Sequence, residues 1–136
     1  MADAKISALP AVTSLDGTEP LPLVQSSTTK KATVAQVLTG QLVTESGTSR
    51  TLTAADNAKI IYCTSSSAVT INCASGLGVG FNCTIIQGGT GKVTVAPNSQ
   101  TLVSYSSLFS TMGQYAVISL VSPVAGTFVA AGNLGV

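Results

Sequence analysis

Charge and imidazole are what this sequence lacks. Asp, Glu, Lys and Arg make up 8% of its 136 residues, against about 25% in ordinary soluble domains. There is no His and no Trp. Without His, Ser-His-Asp and Cys-His catalysis, His-ligated metal and an imidazole pH switch are all excluded. Six basic and five acidic residues leave a net charge of +1. That balance cannot build the basic stripe that neutralises phosphates, so no nucleic-acid partner is expected. Disorder of the whole chain is excluded by a 45% hydrophobic content and a mean hydropathy of +0.48.

Long apolar runs are also missing. The richest stretch, Tyr115 to Val121, is far short of the roughly 18 apolar residues that span a bilayer, and no membrane partner is expected. The first residues, Met-Ala-Asp-Ala-Lys, carry Asp3 and no apolar core. They do not read as a secretory signal, and synthesis in a cytosol is expected. Three cysteines cannot all pair within one chain. Cys63, Cys73 and Cys83 stand ten residues apart, not in the close spacing of zinc sites. Each falls in a strand-like alternation and is expected to be a reduced, buried small hydrophobe. The sequon Asn82-Cys83-Thr84 carries no weight inside a strand without a secretory signal.

The charges that exist are unevenly placed. Ten of the eleven lie at or before Lys59, and Lys92 is the only one from Ile60 onward. Composition changes near Arg50, which predicts an arm over 1–49 and a β domain over 50–136. In the arm, Pro10, Pro20 and Pro22 interrupt any early helix. Ile6, Leu9, Val12, Leu15, Leu21, Leu23 and Val24 are irregularly spaced, as anchors along an extended chain would be. One short helix is predicted after Thr33, which forms a Thr-x-x-Gln capping box with Gln36. Val34, Val37 and Leu38 give it an apolar face and Gly40 a stop. Under two turns long, it would be unstable alone, so the arm needs a surface to lie on.

The remainder alternates with a period of two. A possible helical turn at Thr53–Asn57 precedes a strand at Ile60–Thr64. Strands are then predicted at Ala68–Cys73, Phe81–Gln87, Lys92–Ala96, Leu102–Tyr105, Gln114–Val121 and Thr127–Ala131. Val69, Ile71 and Cys73 share one face, as do Phe81, Cys83 and Ile85, and Val93 with Val95. Gln114–Val121 is apolar on both faces and is expected to be central. Such spacing, with Gly and Ser clusters as turns, predicts an all-β fold, an antiparallel sandwich or barrel-like domain, behind an extended arm with one short helix. Outward positions carry Thr, Ser, Asn and Gln where Lys and Glu normally protect edges. Either copies of the chain bury these surfaces, or the domain presents a neutral surface to sugars or a host cell. Burial in an oligomer is favoured because hydroxyls and amides cost less to desolvate than charges.

Catalytic and nucleotide motifs fail in detail. Gly76-Leu-Gly-Val-Gly-Phe81 places Phe81 where GxGxxG needs its third glycine, and a strand follows where a helix should begin. Gly88-Gly-Thr-Gly91 before Lys92 lacks Walker spacing and reads as a hairpin loop. Glycosidases need two carboxylates at fixed separation. The only acids, Asp3, Asp16, Glu19, Glu45 and Asp56, all precede the predicted β strands. Lys92 sits in a predicted loop, unsuited to Ser-Lys catalysis. No enzyme activity, cofactor or metal is expected.

Lys5-Ile-Ser-Ala-Leu-Pro-Ala11, Thr13, Leu15, Gly17-Thr-Glu19, Leu23-Val-Gln25 and Thr29-Lys-Lys-Ala-Thr-Val-Ala-Gln-Val-Leu38 form an ordered series. It resembles the N-terminal segment of tailed-bacteriophage virion proteins, tail-fibre and other surface components among them. The second half also resembles a phage virion module. Thr51-Leu-Thr-Ala-Ala-Asp-Asn57, Gly80-Phe81, Thr84-Ile-Ile-Gln-Gly88, Gly91-Lys-Val-Thr94, Gly113-Gln-Tyr-Ala116 and Gly132-Asn-Leu134 carry that likeness. Asn133 departs from it, standing where an acid is sometimes found. The resemblance implies attachment of the arm to a particle, a trimeric β module and residence in a virion assembled in the host cytoplasm.

Three functions compete: capsid decoration or cement protein, small tail- or head-fibre component, and carbohydrate-binding module. An arm of some 49 residues reaches up to roughly 160 Å when extended, while the rest makes a knob with a radius of gyration near 12 Å. That shape suits a fastener between neighbouring subunits, and no shaft repeat suits a fibre. Capsid decoration is therefore the leading expectation. Its partners would be the chain itself, as a homotrimer, and a major capsid protein or another head or tail structural protein. Ile6, Leu9, Pro10, Leu15, Leu21, Leu23, Val24, Val34, Val37 and Leu38 are the expected attachment residues. Tyr115, Val117, Ile118, Leu120 and Phe128 are the expected oligomer-packing residues. Tyr62, Tyr105 and Tyr115 are the only Tyr, a thin basis for a sugar platform.

Overall fold

The computed structural model describes residues 20–25, 28–33 and 42–136. The chain divides into two compact units, the second running from Gly40 to Val136. This division precedes the boundary expected after Ser49, because two strands of the second unit lie before and across that point.

In the first unit, β1 (Pro20–Gln25) and β2 (Thr28–Thr33) form an antiparallel hairpin with Pro20 opposite Thr33 and Gln25 opposite Thr28. Over these residues the expected extended run is a hairpin. Thr33, the expected helix cap, is the last residue of β2, and the rest of the expected helix lies outside the described residues. A lone two-stranded hairpin is marginal in water, so this element still calls for a supporting surface.

The second unit is all β, with one short 3-10 turn at Ala54–Asp56 and no α-helix among the described residues. Its strands are β3 (Leu42–Glu45), β4 (Ser49–Thr51), β5 (Lys59–Cys63), β6 (Val69–Asn72), β7 (Asn82–Gln87), β8 (Val93–Ala96), β9 (Thr101–Val103), β10 (Ser110–Thr111), β11 (Val117–Val124), β12 (Thr127–Gly132) and β13 (Leu134–Gly135). They form a six-stranded sheet ordered β3-β5-β7-β11-β12-β9 and a five-stranded sheet ordered β13-β10-β8-β6-β4.

The connectivity corrects the expected antiparallel sandwich or barrel. Strands β3, β5 and β7 run parallel in the larger sheet, and β4, β6 and β8 run parallel in the smaller one. Each consecutive pair crosses from one sheet to the other, so β3–β4, β5–β6 and β7–β8 are three stacked turns of a solenoid-like coil. The short loops that looked like hairpin turns join strands of different sheets. Antiparallel strands then close the third turn: β11 pairs with β7 and β12, and β10 pairs with β8 and β13. Strand β9 completes the larger sheet in parallel with β12.

Stacking in register builds the core as ladders. Val43, Ile61, Ile85 and Ile118 are successive partners across the larger sheet. The last three are fully buried. Val69 pairs with Val93 and Ile71 with Val95 in the smaller sheet, all inward and buried. Phe81 and Phe128 meet edge to face, ring centroids 6.3 Å apart at 80°, a favoured geometry for the aromatic quadrupole.

Tight stacking of the corner loops explains one glycine run. A Cβ on Gly89 would enter the Ser65 carbonyl, one on Gly91 the Ser67 carbonyl, and one on Gly88 the Tyr62 ring. The sequence Gly88-Gly-Thr-Gly91 is therefore the bare backbone on which the preceding coil's loop rests.

Candidate functional site

The carboxylates of the second unit are spent on structure. Asp56 closes the 3-10 turn through a capping box with Thr53, whose N and Oγ1 donate to Oδ2 at 2.9 and 3.0 Å. Its Oδ1 accepts from Arg50 Nη2 at 2.6 Å. Glu45 Oε2 accepts from Arg50 Nη1 at 3.1 Å and its Oε1 from the Gly47 N–H at 2.8 Å. Burial pushes the Asp56 carboxyl up, but the hydrogen bonds from Arg50 and Thr53 outweigh it and hold the group below its ordinary value. All four carboxylate oxygens are engaged, which suits a structural clamp and leaves no free base.

The cysteines are free and buried. Burial pushes the Cys63 and Cys73 thiols up to about 11 and the Cys83 thiol to about 12. They pack as protonated hydrophobes, as the alternation predicted. No group of three or more His, Cys, Asp or Glu able to hold a metal occurs among the described residues. No described helix is long and apolar enough to cross a membrane. The glycine-rich 76–81 segment borders a depression of about 220 Å³ lined by Ala54, Asn57, Gly78, Val79, Gly80 and Phe81. Two of its acceptors are used internally: Asn57 Oδ1 accepts from Asn82 N at 3.0 Å, and Gly78 O accepts from Phe81 N at 3.1 Å.

The features left for function are the two outer faces, and they differ. On the larger sheet three outward rows run across the strands. The first is Leu42, Ile60, Thr84, Ser119 and Ala131, and the second is Thr44, Tyr62, Ile86 and Val117. The third is Asn82, Val121, Val129 and Val103. Leu42 is 62% exposed and Val121 39%. On the smaller sheet the rows are Ser49, Thr70, Thr94, Ser110 and Thr51, Asn72, Ala96. Thr94 and Ser110 hydroxyls lie 2.8 Å apart, and Asn72 Nδ2 donates to Ser49 Oγ at 3.2 Å. Neither set of rows contains a charged residue. One face is predominantly aliphatic and aromatic; the other is predominantly hydroxyl and amide.

This arrangement corrects the expected packing residues. Ile118, Leu120 and Phe128 are fully buried in the chain's own core and cannot reach another chain. Their inward rows face the two-sheet interior, which sequence alone does not distinguish from an interface because both are apolar. Val117 is half-buried on the outer face, and Tyr115 is 68% exposed in the turn before β11. Of the expected attachment residues, Leu21, Leu23 and Val24 belong to β1; Ile6, Leu9, Pro10, Leu15, Val34, Val37 and Leu38 lie outside the described residues. Leu42, Ile60, Tyr62, Ile86, Val121 and Val129 are outer-face residues that do not stand among the expected packing residues. Their signal was the apolar residue at outward positions of the same alternation that marked the core.

No known family model matches this sequence, and no curated protein matches it significantly.

Proposed function

We propose that this chain is a structural protein of a tailed-bacteriophage virion, a capsid decoration or cement protein that associates with copies of itself and is fastened by its N-terminal arm. It acts without catalysis, cofactor, nucleic acid or membrane. The observation that carries the reading is the charge-free outer face of the larger sheet, a surface suited to protein packing. The arm's resemblance to virion attachment segments supplies the particle, and the likeness of the β module suggests a trimer. Ordering the arm on that particle costs chain entropy, which burial of its spaced apolar residues offsets.

The closed ends of the coil favour decoration over a fibre. Among the described residues, the ion network at the first turn and the antiparallel strands after the third flank only three turns of coil, whereas a shaft needs repeats that continue. Sugar binding has one supporting feature, the hydroxyl rows of the smaller sheet. It predicts saturable binding on a glycan array.

The test is capture by purified particles. The full chain is expected to bind, and a variant lacking residues 1–41, checked for β structure by circular dichroism, is expected not to. Undiminished capture of the truncated variant rules out anchoring by the arm.

A further inference from the structure

We infer that the first turn of the coil, residues 42–57, is an acid-releasable latch: it opens as one piece when the Glu45–Arg50–Asp56 network loses charge, while the coil behind it stays folded. The inference adds a regulation to the function proposed above. It rests on that reading only for the consequence of opening, not for the opening itself.

Two contrasts within one domain carry it. The first is where the charge sits. Five charged residues stand from Leu42 onward, and three of them form this one network. The second is what holds each turn in place. Ile61, Val69 and Ile71 anchor the second turn and Ile85, Val93 and Val95 the third, all buried. The first turn has only half-buried Val43 and, just past β4, buried Leu52. Its other inward positions are Glu45 and Arg50. Among the described residues its strands are paired on one side only, β3 with β5 and β4 with β6. In a stacked coil each turn contacts its neighbours alone, so an end turn can open without the rest.

Arg50 is the hub. Its Nη1 reaches back to β3 and its Nη2 forward to the 3-10 turn, so one side chain ties three successive elements. Its Nε is buried with no hydrogen-bond partner among the described residues. The guanidinium is already short of acceptors, and its burial depends on both carboxylates being charged. Protonating Asp56 removes one of the two, and opening the turn restores hydration. Burial pushes the Asp56 carboxyl up, but the Arg50 and Thr53 hydrogen bonds hold it below its ordinary value of 3.8. The latch is therefore shut above that value and is released as pH falls below it.

The other titratable groups around the network do not answer acid. Burial pushes the thiol of Cys63, near Glu45 and Arg50, up to about 11, and that of Cys83, near Asp56 and Arg50, to about 12. Lys59, in register with Cys83, forms no ion pair among the described residues. In mild acid only the carboxylates change charge. Opening adds up to about 55 Å of extended chain between the arm and the remaining coil, which slackens a fastener without unfolding its core.

The experiment is amide hydrogen exchange of the full chain, read by mass spectrometry at pH 7, 5 and 3 and corrected for intrinsic rates. Peptides within 42–57 are expected to exchange ahead of those from β7 and β8. Their protection should hold from pH 7 to 5 and fall roughly fivefold or more by pH 3. At pH 3, β7 and β8 should still be protected about tenfold better. Asp56→Asn is expected to open 42–57 at pH 7 and flatten its response to acid. Glu45→Gln, at the more exposed end of the network, should do so in part and serves if the first variant fails to fold. Equal protection of 42–57 and of β7 and β8 overturns the inference, since the domain then opens as a whole. So does protection of 42–57 that survives pH 3, or a Glu45→Gln variant with the wild-type profile. Particle capture has no part in this readout, so failure here leaves the anchoring proposal standing.

Discussion

Arg50 is the strand-register partner of Ile71, so one inward position is a guanidinium in the first turn of the coil and a fully buried aliphatic in the second. The third turn repeats the aliphatic with Val95. The same substitution occurs across the larger sheet, where Glu45 is in register with buried Cys63 and then Gln87. Among the described residues β3 and β4 are the edge strands of their sheets, so the inward side chains of the first turn border the end of the core of the second unit. Charges there end the stack: inward-pointing charge blocks further strand addition and gives the terminal repeat a polar outer side.

Arg50→Ala should therefore be costly in a way that Thr or Ser changes on the sheet surface are not. It strands Asp56, which is 2% exposed, without its cation. A loss of about 3 kcal/mol is expected, since removing one partner leaves a buried charge uncompensated. Urea unfolding measures it. A shift below about 0.5 kcal/mol would mean that the network is a solvated surface pair.

The same network fixes the acid limb of stability. The folded Asp56 carboxyl lies below its ordinary value of 3.8 because the Arg50 and Thr53 hydrogen bonds overcome the upward push of burial. Its contribution is fully present above the unfolded value and is lost as pH falls through the folded one. Denaturation midpoints should hold from pH 7 to about 5 and fall below about 4. Asp56→Asn should be less stable at neutral pH and show a shallower acid limb. An identical limb in that variant would assign the acid sensitivity to other carboxyls.

Much of the second unit was legible. Alternation identified the buried faces at Val69, Ile71 and Cys73, at Phe81, Cys83 and Ile85, and at Val93 and Val95. The Thr53–Asn57 helical turn is present as the 3-10 turn Ala54–Asp56. Strand direction was not legible, because a period of two reports which side a residue faces and says nothing about which strand lies beside it. Strands β3 and β4 were missed because Glu45 and Arg50 occupy inward positions and break the apolar pattern. For the candidate site, apolarity was visible at Val117 but not separable from the core residues Ile118, Leu120 and Phe128. Which alternate residues face inward is decided by the opposing sheet.

Gly91 tests the coil itself. Gly91→Ala should cost about 2 kcal/mol or more, since its Cβ meets the backbone carbonyl of Ser67 and neither loop can yield without disturbing the next turn. Gly113→Ala is the matched control, with nothing within 4 Å of the added atom, and should stay within about 0.5 kcal/mol of wild type. Equal melting temperatures for the two variants would contradict close stacking of the 64–67 and 88–91 loops.

Tyr115 presents the opposite case, a side chain at a position suited to glycine. It has φ of 65° and is 68% exposed, in a turn closed by Ala116 N donating to Gly113 O at 3.1 Å. For a bulky L-residue this left-handed conformation costs about 1–2 kcal/mol. Glycine removes that cost but adds unfolded-state freedom worth about 0.5–1 kcal/mol. Tyr115→Gly is expected to stabilise the protomer by about 0.5–1 kcal/mol, read as a melting temperature a few degrees higher. Tyr105→Gly is the contrast: Tyr105 is fully exposed and has no left-handed strain to relieve, so it should lose stability. A fall for Tyr115→Gly as large as that for Tyr105→Gly would show that the Tyr115 side chain makes a stabilising contact that offsets its backbone strain.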